Sequence, residues 1–243
     1  MTAAAFSLAE LRAAFTALQA GDFTQPVWGV SDDDGAVRRV AQPSALGVVG
    51  VSAGIGTTTV ALAVAEAIGA ARLVEFSTPH ASGLAGASTA ELGIRNGWSL
   101  GVRHGLRIER RVAAAATLLD ADDGAASVVD FGSWTGHVPR SVALVLVSGC
   151  SVPGIRRLNA CLVEACPSAR RVVPVITGCP GRSVPKQAIG AFGPELRDVY
   201  VAKRALIVPE CPPLRVAGIT PEPLPRALRV AVEPISDLLE EIS

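Results

Sequence analysis

The stretch ALGVVGVSAGIGTTTVALAVAEAIG (residues 45–69) restricts the fold more than any other part of the chain. ALGVVGV (45–51) is a continuous apolar run of strand length, and TTTVALAVAEAIG (57–69) carries apolar side chains at helical spacing. RLVEF (72–76) follows within a few residues as a second strand. A strand, a loop, a helix and another strand in that order call for a parallel pair with a right-handed crossover, and hence an α/β fold. The loop joining the first strand to the helix contains Gly50, Gly54 and Gly56. Such a loop gathers backbone N–H groups at a helix N-terminus, where they can hold phosphate oxygens.

Further apolar strands are predicted at 126–131, 141–148, 171–177 and 204–209. Helices are predicted at 111–120, 153–165, 184–192 and 225–241, the last broken at Pro234. Residues 88–95 read as a helix and 105–109 as a short edge strand. The expected architecture is a three-layer P-loop NTPase-like α/β domain over residues 45–243, with a mostly parallel central sheet. Residues 1–44 form a separate stretch. SLAELRAAFTALQA (7–20) has helical periodicity with Ser7 as N-cap, and residues 21–44, rich in Gly, Pro and Asp, read as a linker.

Chemistry at the loop turns on one missing charge. Thr58 offers a hydroxyl to a metal ion bound to phosphates, but the preceding position, where a phosphate-binding loop has its lysine, is Thr57. The chain's lysines are Lys186 and Lys203, both remote in sequence. Asp130 ends the strand SVVD in the manner of an acid that orients water around a nucleotide-bound metal. Glu75 ends the second strand and is followed by Ser77, a poor general base. A second reading stays open, because Gly50-Val51-Ser52-Ala53-Gly54 also satisfies the G-x-S-x-G pattern of serine hydrolases. That reading lacks the strands and oxyanion loop expected before Ser52, and its histidine would have to be His137. A third treats the loop as a structural turn.

VVGVSAGIGTTTVALAVAEAIG, ARLVEFSTP and SVVDFG, in this order, resemble the ParA/MinD-like group of deviant Walker A P-loop ATPases, and most of all its divergent actinobacterial relatives. The likeness spans roughly residues 45–240 and includes SGCSVPGIRRL (148–158). It implies that Ser52 and Thr57 occupy the positions of the family's two lysines. Gly54, Gly56, Thr57, Thr58 and Thr59 would form the phosphate site, and Thr58 and Asp130 the magnesium site. Asp130 matches the Walker B aspartate, Glu75 the acid ending strand two, and Ser77 the switch I aspartate. The family couples ATP-driven dimerisation to positioning, partitioning or secretion and pilus machinery. With both lysines and the switch acid replaced, the resemblance implies a degenerate relative with weak or no binding of ATP or ADP and magnesium, and without efficient hydrolysis. Such a protein would act through protein partners and could form a homodimer. The alternative is an active ATPase in which arginine replaces the lysines.

Acidic and basic residues balance at 22 each, so overall charge steers the chain towards neither nucleic acid nor anionic lipid. The densest basic region is Arg95, Arg103, His104, Arg107, Arg110 and Arg111, around Trp98. Arg103, Arg107, Arg110 and Arg111 are the candidates for non-specific contact with DNA phosphate. Trp28 and Trp134 are candidates for partner contact or core anchoring, and His80 and His137 each follow a strand end. The five cysteines (150, 161, 166, 179, 211) lack metal-site spacing and read as reduced thiols. No apolar run reaches membrane-spanning length, no signal peptide is recognisable, and ISDLLEEIS is acidic, so a cytoplasmic location is expected.

Overall fold

The computed structural model describes residues 45–77, 79–113, 126–134, 143–165 and 172–241. The expected helix at 7–20, the linker at 21–44, Trp28, His137 and Cys166 lie outside them.

Strand β1 (Ala45–Gly50) is followed by helix α1 (Thr57–Ala67) and strand β2 (Arg72–Glu75), as the sequence predicts. Then come β3 (Ala90–Arg95), β4 (Trp98–Arg103), β5 (Leu106–Arg111), β6 (Ser127–Ser133) and β7 (Ala143–Gly149). Helix α2 (Val152–Ala165), strand β8 (Val172–Cys179) and helices α3 (Lys186–Ile189) and α4 (Pro194–Val201) lead to β9 (Leu206–Pro209). The described chain closes with α5 (Pro212–Ala217), α6 (Arg226–Val232) and α7 (Ile235–Glu241).

The nine strands form one sheet in the order β3-β4-β5-β2-β6-β1-β7-β8-β9. From β5 to β9 every neighbouring pair is parallel, while β3 and β4 extend one edge as an antiparallel meander. Alternate residues of the central strands feed two cores on opposite faces. Leu46, Val48, Val145 and Val147 join Leu62 and Val64 of α1 and Leu228, Val232 and Ile235 of α6 and α7. Val49, Leu144 and Leu146 join Ile155, Leu158 and Leu162 of α2 and Leu196 of α4. Each fully buried aliphatic side chain contributes about 1.5–3 kcal/mol over its exposed state, so this layering holds β1 at the sheet centre.

Three expectations need correction. Residues 88–95 do not form a helix: Gly93 has φ 94°, and Asn96 and Gly97, at φ 50° and 81°, turn the chain straight back into β4. A two-residue turn with both φ positive matches the right-handed twist of a hairpin, which is why Asn-Gly favours it. The strand at 105–109 is not an edge, since β5 lies between β4 and β2. The region 184–192 holds only the single turn α3. Gly190 and Gly193 separate it from α4, a helix that starts with Pro194 at its first position. Pro234 does divide the last helical region, into α6 and α7. Residues 114–120 of the helix expected at 111–120 are outside the described chain, and β5 runs through Arg111.

Candidate nucleotide-binding site

The glycine loop leaves the C-terminal end of β1 and enters α1 at Thr57. Its start is fixed by Val51 N–H donating to the Val147 carbonyl (2.9 Å), and its end by Val60 N–H donating to the Gly56 carbonyl (2.9 Å). Between these points Gly54 (φ 74°) and Gly56 (φ 89°) occupy left-handed conformations that cost other residues energy. Gly56 is the N-cap of α1, and no side chain caps the helix. The first-turn amides therefore remain available for an anion, at the positive end of the helix dipole.

The threonines play different parts. Thr57 is only 8% exposed, and a Cβ placed on Gly50 would strike its Oγ1. The lysine position is thus filled by a short side chain packed against the loop's own first glycine. Thr58 is half-buried and gripped from two sides: its methyl packs against Gly83, where a Cβ would come within 2.8 Å of Thr58 Cγ2, and its hydroxyl lies beside Asp130. Thr59 is half-buried in the same turn.

Asp130 is fully buried on β6 between β1 and β2. Gly132 N–H donates to its Oδ1 (2.8 Å), while Oδ2, also buried, has no partner with hydrogen-bond geometry. Burial pushes its pKa up; the nearby Thr58 hydroxyl and the Gly132 amide pull it back in part. Glu75 is paired in register with Asp130 and is likewise fully buried. Its Oε2 accepts from Ser82 Oγ (2.5 Å) and its Oε1 from Gly83 N–H (2.8 Å), which draws residues 82–84 down towards Thr58. Burial again raises the pKa, against the Ser82 hydroxyl and with the added charge of Asp130. Ser77 is half-buried and faces Gly132, whose Cβ would lie 3.2 Å from Ser77 Oγ.

The structure therefore brings together the glycine loop, Thr57, Thr58, Thr59, Glu75, Ser77 and Asp130. The clustered arginines are engaged elsewhere, although Arg110 lies in register beside Glu75 on the next strand. Arg103 is 1% exposed. It ion-pairs with Glu66 (2.7 Å) and donates to the carbonyls of Ala87, Thr220 and Glu222 (3.0, 2.6 and 2.6 Å). Glu66 lies in the last turn of α1, roughly 13 Å from the loop at 1.5 Å per residue, so Arg103 is neither a substitute for the loop lysine nor exposed to DNA. Arg107 pairs with Glu109 (2.8 Å), and Arg110 donates to both Glu91 oxygens (3.0 and 2.9 Å) and to Ser99 (3.0 Å). Arg111 Nε donates to the Ala113 carbonyl (3.2 Å). Trp98 is fully buried against Val74 and Phe76, and Trp134 packs into the core beside α2.

Ser52 has negative φ and is separated from α1 by four residues, unlike the strained strand-to-helix serine of a hydrolase elbow. Sequence reasoning missed Thr177 at the end of β8. Its hydroxyl, 122 residues away in the chain, reaches the Ile55 carbonyl at 2.8 Å.

The remaining test is whether this site fits a magnesium nucleotide. A buried, unpartnered carboxylate oxygen beside a threonine hydroxyl, below an uncapped helix N-terminus, suits a hard cation bridging to phosphate. Neither Ser52 nor Thr57 supplies a side-chain cation for the terminal phosphate.

A parallel sheet with a glycine loop after its central strand and an acid on the neighbouring one defines the P-loop NTPase class of fold. Within that class the architecture is that of the ParA/MinD ATPases. A plasmid partition protein from Borrelia burgdorferi B31 bound to AMPPNP superposes with a TM-score of 0.53 at 10% identity, over 82% of this chain and 99% of that one. McdA from Cyanthece superposes at 0.51 with 14% identity, and a ParA family ATPase from Chlorobium tepidum TLS at 0.50 with 16%, each over the same shares of the two chains. No protein-family model matches the sequence, and no curated protein matches it either. Among the described residues no helix is long and apolar enough to cross a membrane.

Proposed function

We propose that this chain is a degenerate ParA/MinD-like protein that retains a cradle for a magnesium nucleotide, binds ATP or ADP weakly, hydrolyses ATP inefficiently, and acts through protein partners. The observation that carries this reading is the contrast inside one site. Asp130 Oδ2 and the Thr58 hydroxyl stand ready for a cation, while Thr57 lies buried against Gly50 where a lysine should reach the phosphates. Magnesium, when bound, would neutralise charge on the phosphate oxygens. Gly54, Gly56 and the amides of Thr57, Thr58 and Thr59 would orient them. Thr57 draws no charge from a breaking phosphate bond, and losing one such stabilising contact costs about 3 kcal/mol of transition-state energy.

A role in positioning, partitioning or secretion machinery is supported by the likeness in fold to a plasmid partition protein and a ParA family ATPase. Such a role operates through conformational change at protein surfaces, and a homodimer is the simplest assembly to look for. Calorimetric titration of ATP and ADP, with and without magnesium, tests the reading, alongside phosphate release by the same preparation. Micromolar or weaker binding that needs magnesium and is lost in Asp130→Ala supports it. Turnover comparable to lysine-containing relatives, abolished by Asp130→Ala, would refute the degeneracy. A complete lack of binding would refute the retained cradle.

A further inference from the structure

The loop's geometry depends on a residue outside it. Ile55 lies between two glycines with positive φ, so the peptide planes on either side of it rotate at little cost. Among the described residues, the only side-chain hydrogen bond to the loop backbone from Val51 to Gly56 comes from Thr177, whose Oγ1 donates to the Ile55 carbonyl at 2.8 Å. In a trans peptide the carbonyl of one residue and the N–H of the next point in opposite directions. Holding the Ile55 oxygen towards β8 therefore aims the Gly56 N–H the other way, away from β8.

Thr177 is well suited to that task. It is 8% exposed, its own carbonyl accepts from Cys150 N–H (2.9 Å), and its β-branched side chain has little rotamer freedom. The hydroxyl also lies 3.1 Å from the Ser148 carbonyl, yet it has one proton to give. When that proton turns to Ser148, the Ile55 carbonyl is released. Gly56 accepts either sign of φ, so the Ile55–Gly56 peptide can then turn over and present a carbonyl oxygen, not an N–H, to a phosphate.

We infer that Thr177 is a positioning residue that sets the direction of the Ile55–Gly56 peptide, and thereby whether the loop offers a donor or an acceptor to an anion. Its consequence for ligand affinity rests on the nucleotide reading above; its consequence for the peptide does not.

The test uses the full chain in three forms: wild type, Thr177→Val, which keeps shape and removes the hydroxyl, and Thr177→Ser, which keeps the hydroxyl. The Gly56 amide and Ile55 carbonyl resonances are followed by NMR without ligand, and magnesium pyrophosphate is then titrated. In Thr177→Val the two resonances should shift or double and pyrophosphate affinity should fall about tenfold, the scale of one hydrogen bond, while Thr177→Ser stays like wild type. Should Thr177→Val not fold, Thr177→Ala carries the same expectation. Unchanged Gly56 and Ile55 signals in the hydroxyl-less variant would overturn the inference, as would shifted signals with unchanged pyrophosphate affinity. If wild type binds neither pyrophosphate nor ATP, the nucleotide reading falls while the resonances still decide the role of Thr177.

Discussion

Replacing Asp130 by Asn should make the ligand-free protein more stable while removing its capacity for magnesium. The carboxylate is fully buried, Oδ1 accepts one hydrogen bond, and Oδ2 has none of good geometry. An unsatisfied buried neutral acceptor costs about 1–3 kcal/mol and a charged one more, so shedding the charge while keeping the shape should gain about 2 kcal/mol. For a domain of this size that is a rise of about 4–8 °C in melting temperature. The pH dependence gives a stricter check. Burial raises the folded-state pKa of Asp130 above its unfolded value, so the folded state binds the extra proton, and wild-type stability falls as pH rises from about 4 through that raised pKa. Glu75 titrates in the same direction, partly because Asp130 is charged beside it, so the substitution should relieve both groups. Denaturant unfolding of both proteins at pH 4 and pH 7 should show the Asn variant ahead at neutral pH and the gap narrowing in acid. An Asn variant less stable at pH 7, or a gap independent of pH, would refute the claim that a carboxylate only partly compensated by Gly132 and Thr58 sits at this site.

Three further outcomes follow from the same geometry. Arg103→Met should destabilise the fold by about 3 kcal/mol, measured by urea unfolding, because it strands the carbonyls of Ala87, Thr220 and Glu222 and leaves Glu66 without its partner. DNA retention in a filter assay should not respond to it. Gly50→Ala should abolish nucleotide binding in titration calorimetry, since the added methyl meets Thr57 Oγ1 and must displace the first turn of α1. At pH 8, thiol labelling of the native protein should reach half-buried Cys150 well before Cys161 and Cys179, whose burial pushes their pKa values up to about 11 and about 12; denaturant should erase the difference.

The elements that frame the candidate site were largely legible where chemistry and chain position coincide. Residues 45–75 combine an apolar strand, spaced glycines and a periodic helix, so β1, the loop, α1 and β2 could be placed, and Asp130 followed from an apolar strand ending in an acid. The hairpin at 90–103 was misread although it carries a strong signal, Asn96-Gly97. Ala90, Glu91, Leu92 and Arg95 are compatible with helix by propensity, but the positive φ values at Gly93, Asn96 and Gly97 override that weak preference. Arg103 reads from the sequence as a candidate for contact with DNA phosphate, since nothing local reveals Glu66, Thr220 and Glu222, the distant partners that bury it. Thr177 could not be read locally, since nothing near it in sequence mentions the loop it touches.

Strand β6 sits between β1 and β2, although some fifty residues of chain separate it from β2. A growing chain thus completes this region late: the segment bearing Asp130 must enter between β1 and β2, and the Val147 carbonyl that fixes the start of the loop follows later still on β7. A chain halted before residue 127 would lack the acid and also the β7 and β8 partners that hold the loop, so the loop depends on segments made well after it.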